Sequence, residues 1–150
     1  MSDIKKIISA SIEVKQRILN DDQIITRLQK VAEEMVQTLK NGGRIYFCGN
    51  GGSAADAQHL AAEFSGRFYT DRVALPAEAL HCNTSYLTAV ANDYSYDVVY
   101  SRLVDGITNA GDFLVGLSTS GNSGNIVKAF ESARKRNVKT VGFTGESGGK

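Results

Sequence analysis

Proline occurs once in this chain, at Pro76, and cysteine twice, at Cys48 and Cys82. One proline leaves no proline-rich linker, and no low-complexity tract or internal repeat divides the chain. Cys48 lies inside an apolar run and Cys82 beside His81, so there is neither a C-x-x-C pair nor a small disulfide framework. A reducing cytosol is the natural setting, and a cytoplasmic location is expected. An excess of one charge is also missing: 17 Lys+Arg stand against 16 Asp+Glu, a net charge of +1, and nothing favours nucleic acid as a partner. Long hydrophobic runs are lacking too. The opening segment MSDIKKIISASIEVKQ interrupts its apolar positions with Lys and Glu, unlike the apolar block of a signal peptide, and no stretch approaches a membrane span. What remains is a chain of 150 residues, long enough for one domain with its own core.

The pattern that is present begins with two helices. Ile4, Ile7, Ile8, Ile12, Ile18 and Leu19 trace one helical stripe, interrupted by Asn20, Asp21 and Asp22 as capping residues; Leu28, Val31, Met35, Val36 and Leu39 trace a second, stopped by Asn41, Gly42 and Gly43. This Ile-rich pair serves either as core or as an oligomer contact. From residue 44 the pattern changes. Strands are expected at 44–48, 77–82, 113–117 and 140–143, and helices at 53–66, 85–91, 98–107 and 123–136. Strands alternating with helices predict an α/β fold with a parallel sheet covered on both sides, and ligands in such sheets bind at the carboxyl ends of the strands. The chain stops in TGESGGK (residues 144–150), a Gly- and Ser-rich loop directly after a strand, which is expected to lead into a further helix of a longer domain.

Two segments carry the chemistry: FCGNGGSAADAQHLAAEFSGR (47–67) and LVGLSTSGNSGN (114–125). Each runs from an apolar strand into a Gly/Ser/Thr/Asn loop that opens a helix, a construction that gathers backbone N–H groups and hydroxyls around phosphate. The first loop, Asn50, Gly51, Gly52 and Ser53, reads equally as a tight turn with Ser53 as N-cap. Its fit to the dinucleotide fingerprint is weak because the acidic residue due at the end of the next strand is missing, and no P-loop lysine follows. In the second loop Ser118, Thr119, Ser120 and Ser123 supply four hydroxyls where capping needs one, which favours phosphate. On the helix between the loops, Ala57, Leu60, Ala61 and Phe64 form the expected buried stripe. His59 and Glu63 project from one face at i,i+4 beside the first loop, suited to proton transfer or metal binding, with Arg67 a turn further on as an anion contact. The plainer reading of that face is a solvated Glu63–Arg67 pair, contributing roughly a few tenths of a kcal/mol. Asn92 and Asp93, after a helical segment, reach the ligand or cap the next element; His81 is unassigned.

Together GNGGSAADAQHLAAEFSGRF (49–68), AND (91–93) and LSTSGNSGNIVKA (117–129) closely resemble the phosphoheptose isomerases of the sugar-isomerase (SIS) domain superfamily. The resemblance implies a three-layer, flavodoxin-like sandwich in one SIS domain over residues 1–150, with the helical pair at 1–43, a sugar-phosphate-binding core at 44–150 and a C-terminal helix beyond Lys150. It implies a cytoplasmic homotetramer with active sites at subunit interfaces that interconverts sedoheptulose 7-phosphate and glycero-manno-heptose 7-phosphate toward bacterial surface polysaccharide. Ser53, Ser118, Thr119, Ser120 and Ser123 become phosphate contacts, and Asn50, Gly51, Gly52, Arg67, Asn92 and Asp93 complete the substrate-binding set. Glu63 becomes the base that moves a proton between C1 and C2 through an enediol. His59 and Glu63 become ligands of one zinc per subunit, whose remaining ligands are expected beyond Lys150, so that the longer chain is expected to be the active one. The rival class is a non-catalytic SIS-domain adaptor that binds the bacterial replication initiator. Those relatives lack the carboxylate at the position of Glu63, which favours the enzyme.

Overall fold

The computed structural model describes residues 2–149 in two compact units, one ending at Val36 and the other beginning at Gln37. In the first, α1 (Asp3–Leu19) buries none of its residues, and α2 (Asp22–Lys40) starts where the Asp21 carboxylate accepts the amides of Gln23 (2.9 Å) and Ile24 (3.0 Å), the capping role read for this acidic cluster. α2 ends ahead of Gly42, whose φ of 80° takes the chain out of the helix.

The second unit is built on a four-stranded sheet, all parallel, in the order β2-β1-β3-β4: β1 (Ile45–Gly49), β2 (Ala77–Ala79), β3 (Phe113–Ser118) and β4 (Lys139–Thr144). Ile45 pairs with both Ala77 and Phe113, and Phe113 with Lys139, so the strands begin in line. Alternate side chains face opposite sides. Tyr46, Cys48 and Leu114 join the main core with Val90, Val99, Tyr100, Val104, Ile126 and Ala129. These come from α4 (Thr84–Asp93), α5 (Val99–Ile107) and α6 (Gly124–Lys135). Phe47, on the other face, packs on Phe64 of α3 (Gly52–Ser65), ring centroids 5.8 Å apart. The result is the expected sandwich of helices, parallel sheet and helices, with the flavodoxin-like strand order. Two buried polar groups of the sheet are partnered: the hydroxyl of Tyr46 donates to the Ile107 carbonyl (3.3 Å), and the buried Asp112 carboxylate accepts the amides of Arg44 and Asn109, each at 2.8 Å.

Three expectations need correction. The second strand ends at Ala79, because the chain turns at once, with the Cys82 amide donating to Ala79 and Asn83 capping α4. The helix expected from 98 begins at Val99, directly after a 3₁₀ turn (Tyr96–Val98) that the sequence did not mark. Leu60 is 36% exposed: Ala57 and Ala61 are the side chains α3 buries, and Leu60 sits off that line.

Candidate functional site

The first loop is shaped by its glycines. A Cβ on Gly49 would sit 2.4 Å from the Ser53 carbonyl oxygen, so only glycine lets the first turn of α3 fold back over the end of β1. Gly51, at φ 57°, is the N-cap and brings no side chain to the helix. Ser53 is therefore not the cap. It lies inside the first turn, half-buried, with its amide donating to Asn50 (3.0 Å).

The second loop uses its hydroxyls differently from a cap as well. Ser123 is the N-cap of α6 by position, yet its hydroxyl makes no capping bond; it lies 2.9 Å from the hydroxyl of Ser118, which is buried at the end of β3. Among the described residues, the amides of Ser123, Gly124 and Asn125 find no backbone acceptor. Thr119 and Ser120 are exposed beside them. Ser120 accepts the Asn122 amide (3.2 Å), and the Gly145 amide donates to Thr119 (3.0 Å), bringing the third Gly-rich loop alongside. Open amides at a helix N-terminus with adjacent hydroxyls form a site for an oxyanion.

The loops are tied together by Asn50, expected as a substrate contact, and by Asn125, Tyr96 and Tyr100, which the sequence leaves unassigned. Asn50 Nδ2 donates to Asn125 Oδ1 (2.9 Å) and Asn125 Nδ2 donates to Asn50 Oδ1 (2.8 Å). The Tyr96 hydroxyl also donates to Asn50 Oδ1 (3.3 Å), and the Tyr100 hydroxyl donates to the Gly49 carbonyl. Burial raises the pKa of Tyr100, which keeps that hydroxyl a donor. Asn125 was marked only by its place in the motif; nothing local marks the tyrosines. Both loops fall at the carboxyl ends of β1 and β3, the point where the strand order reverses and where such sheets bind ligands.

His59, Glu63 and Arg67 gather elsewhere. His59 Nε2 lies 3.3 Å from Glu63 Oε1, and Glu63 lines an open pocket of about 290 Å³ with Arg67, Phe68 and Tyr69. Among the described residues Glu63 pairs with His59 and not with Arg67. The turn that carries Glu63 is held by Arg72, whose guanidinium donates to the carbonyls of Glu63 (2.6 Å), Phe64 (2.8 Å) and Val73 (3.0 Å). This end of α3 is not beside the first loop, contrary to expectation. Eleven residues separate Gly52 from Glu63, a rise of about 16 Å along the helix. The Phe64 carbonyl accepts from Leu75, just before the start of β2, which pairs with the first residue of β1. Glu63 thus sits at the amino edge of the sheet and the two loops at its carboxyl edge. The i,i+4 spacing fixes a face of α3, whereas the distance from the loop is set by the residue count.

An imidazole and a carboxylate are donors that zinc accepts, but zinc prefers four ligands. Among the described residues no group of three His, Cys, Asp or Glu side chains forms, so His59 and Glu63 alone are not a metal centre. Asn92 and Asp93 are the last residues of α4 rather than a segment after it; both are exposed, and Asn92 Nδ2 donates to Asp93 (3.0 Å). His81 remains outside both groups; its Nδ1 is buried without a partner, and burial lowers its pKa from the ordinary value of 6.5.

Known proteins share this sequence and fold. The SIS domain model matches residues 9–145. The chain is 50% identical over 146 residues to the phosphoheptose isomerase of Clostridium acetobutylicum, covering 97% of this chain and 74% of that one. Its fold matches the phosphoheptose isomerase of Neisseria gonorrhoeae at a TM-score of 0.87 with 44% identity, covering 97% of this chain and 75% of the other. It also matches that of Francisella tularensis at 0.91 with 36% identity, covering 99% and 78%.

Proposed function

This chain belongs to the SIS-domain family, and we propose from that premise that it works as an aldose–ketose isomerase of the phosphoheptose type, interconverting sedoheptulose 7-phosphate and D-glycero-D-manno-heptose 7-phosphate for bacterial surface polysaccharide. The single observation that carries the reading is the start of α6, where the Ser123 hydroxyl turns to Ser118 and leaves the helix amides open for the phosphate of the sugar. Thr119, Ser120 and Ser53 add hydroxyls around it. The Glu63 carboxylate takes a proton from C1 of the ketose as the C2 oxygen is protonated, giving the enediol, and returns it to C2 as the C1 hydroxyl gives up its proton, so that the net change moves one hydrogen between carbons and one between oxygens. The neighbouring His59 orients that carboxylate, and Arg67 contacts the substrate's oxygens.

The separation of Glu63 from the phosphate loops along α3 supports a site shared between copies. The reading therefore includes a homo-oligomer, a tetramer in keeping with the family, in which one copy's Glu63 meets another copy's phosphate loops. Zinc belongs to the same proposal: His59 and Glu63 are the donors this chain would give it, the others coming from outside the described residues, and when bound it would polarise the substrate carbonyl. No helix among the described residues is long and apolar enough to cross a membrane, and a cytoplasmic location accords with that.

The experiment is isomerisation of sedoheptulose 7-phosphate by the full-length protein with and without a chelator, together with calorimetry on the Ser118→Ala, Ser120→Ala double variant. Turnover by the wild type and weakened sugar-phosphate binding by the double variant are expected. Unchanged affinity in the double variant refutes the phosphate assignment, and wild-type protein without turnover favours the adaptor reading.

A further inference from the structure

Asn125, the second residue of α6, is 3% exposed and joins the two loops across 75 positions of the chain. A carboxamide has two N–H donors and an oxygen with two acceptor sites. The Asn50 oxygen is filled by Asn125 Nδ2 and the Tyr96 hydroxyl, and one Asn50 N–H is given to Asn125. One N–H of Asn50 is left. The reciprocal pair requires a group that donates and accepts at both ends, which no carboxylate or alkyl side chain does. At the same edge the Tyr100 hydroxyl holds the Gly49 carbonyl, so the loop is fixed on both its backbone and its side chain.

We propose that Asn125 is a positioning residue for the sugar-phosphate site: its amide pair with Asn50 sets the spacing between the β1–α3 loop and the start of α6 and turns the remaining Asn50 N–H toward the ligand. This inference rests on the phosphate reading above. It assigns Asn50 a role through orientation, because its carbonyl is already filled. Buried amide networks of this kind specify geometry when every group is satisfied and fail when one member is lost. Replacement of Asn125 by Asp keeps the shape and can still accept from Asn50, but it cannot donate, and it places a negative charge between two loops that hold an anion. Replacement by Ser keeps one hydrogen bond and adds no charge.

The test uses the intact oligomer with sedoheptulose 7-phosphate, reading KM, kcat, calorimetric affinity and thermal midpoint for the wild type, Asn125→Asp, Asn125→Ser and the Ser118→Ala, Ser120→Ala double variant. For Asn125→Ser, KM rises by about tenfold, the measure of one buried hydrogen bond, and rises more than kcat falls. For Asn125→Asp the loss is larger and grows as the pH passes upward through the second ionisation of the phosphate near about 6, because repulsion then acts on a dianion. A purely structural role would lower the thermal midpoint without that pH trend. If Asn125→Asp does not fold, the KM-against-kcat split in Asn125→Ser decides. Wild-type KM in a folded Asn125→Ser or Asn125→Asp variant overturns the proposal while the double variant still weakens binding. Unweakened binding in the double variant overturns the phosphate reading, and this inference with it.

Discussion

Replacing Glu63 with Gln keeps the size of the side chain and an oxygen that accepts from His59 Nε2, now 3.3 Å away, while removing the capacity to take up a proton. Little stability is at stake. The His59 side chain is 76% exposed and that of Glu63 28%, and a pair so exposed contributes at most about 1 kcal/mol, a shift of no more than roughly 2–4 °C in a domain of this size. Turnover should fall by about 100- to 10,000-fold, or roughly 2.7–5.5 kcal/mol of transition-state stabilisation. Because Glu63 and the phosphate loops lie at opposite edges of the sheet, the variant should also be rescued by a partner. In a one-to-one mixture of Glu63→Gln with the Ser118→Ala, Ser120→Ala double variant, a shared site is intact when its loops come from the first and its carboxylate from the second, which is about one quarter of sites under random assembly. The assay is isomerisation at substrate concentrations below the wild-type KM, after the two proteins are denatured and reassembled together. Recovery toward about a quarter of wild-type activity, from two variants that are each nearly inactive, is the expected result. A mixture no more active than its components would refute the shared site, and near-normal kcat in Glu63→Gln alone would remove Glu63 from the chemistry.

Two further outcomes follow from single residues. Arg72→Ala strips a guanidinium from the carbonyls of Glu63 and Phe64 and should destabilise by about 2–4 kcal/mol, with kcat falling as the turn that carries Glu63 loosens. Arg72→Lys, which keeps the charge but not the fork, should fall between, and a urea midpoint unchanged in Arg72→Ala would contradict this. For His81, burial lowers the folded-state pKa, so the unfolded chain binds the proton more readily; its contribution is fully present above the ordinary value of 6.5 and is lost as the pH falls through the folded value. Stability of the wild type should therefore drop between about pH 7.5 and 5.5 more steeply than that of His81→Asn, and equal slopes in denaturant titrations would exclude His81 as the source.

The alternation of strands and helices was legible because burial on one face imposes a period, and periods survive in the sequence. Tyr46, Cys48 and Leu114 on one face and Phe47 on the other show that imprint directly. Glycine at positions 49 and 51 was legible for a related reason, since the fold-back over Ser53 and the positive φ leave few other choices. Ends of elements were less legible. β2 stops at Ala79 although the apolar pattern continues into Leu80, because the chain turns to let Asn83 cap α4. Arg72 and Asn125 were unreadable for a different reason. Their partners are backbone carbonyls across a loop and an amide 75 residues away, and neither contact leaves a local pattern.

The site differs from the expectation in one respect that bears on how copies of the chain must meet. A parallel sheet has unlike edges: helix N-termini, with their open amides, collect at the carboxyl edge, and helix C-termini collect at the amino edge. α3 begins at the first and ends at the second, so it carries an anion-binding loop at one end and Glu63 at the other. Arg72 fits that second end physically, because its guanidinium meets carbonyls that the helix leaves without partners. A two-fold pairing that sets one copy's Glu63 against its neighbour's loops necessarily sets the neighbour's Glu63 against the first copy's loops. One contact then completes two sites, and dissociation removes both, which is why activity and assembly should be lost together on dilution.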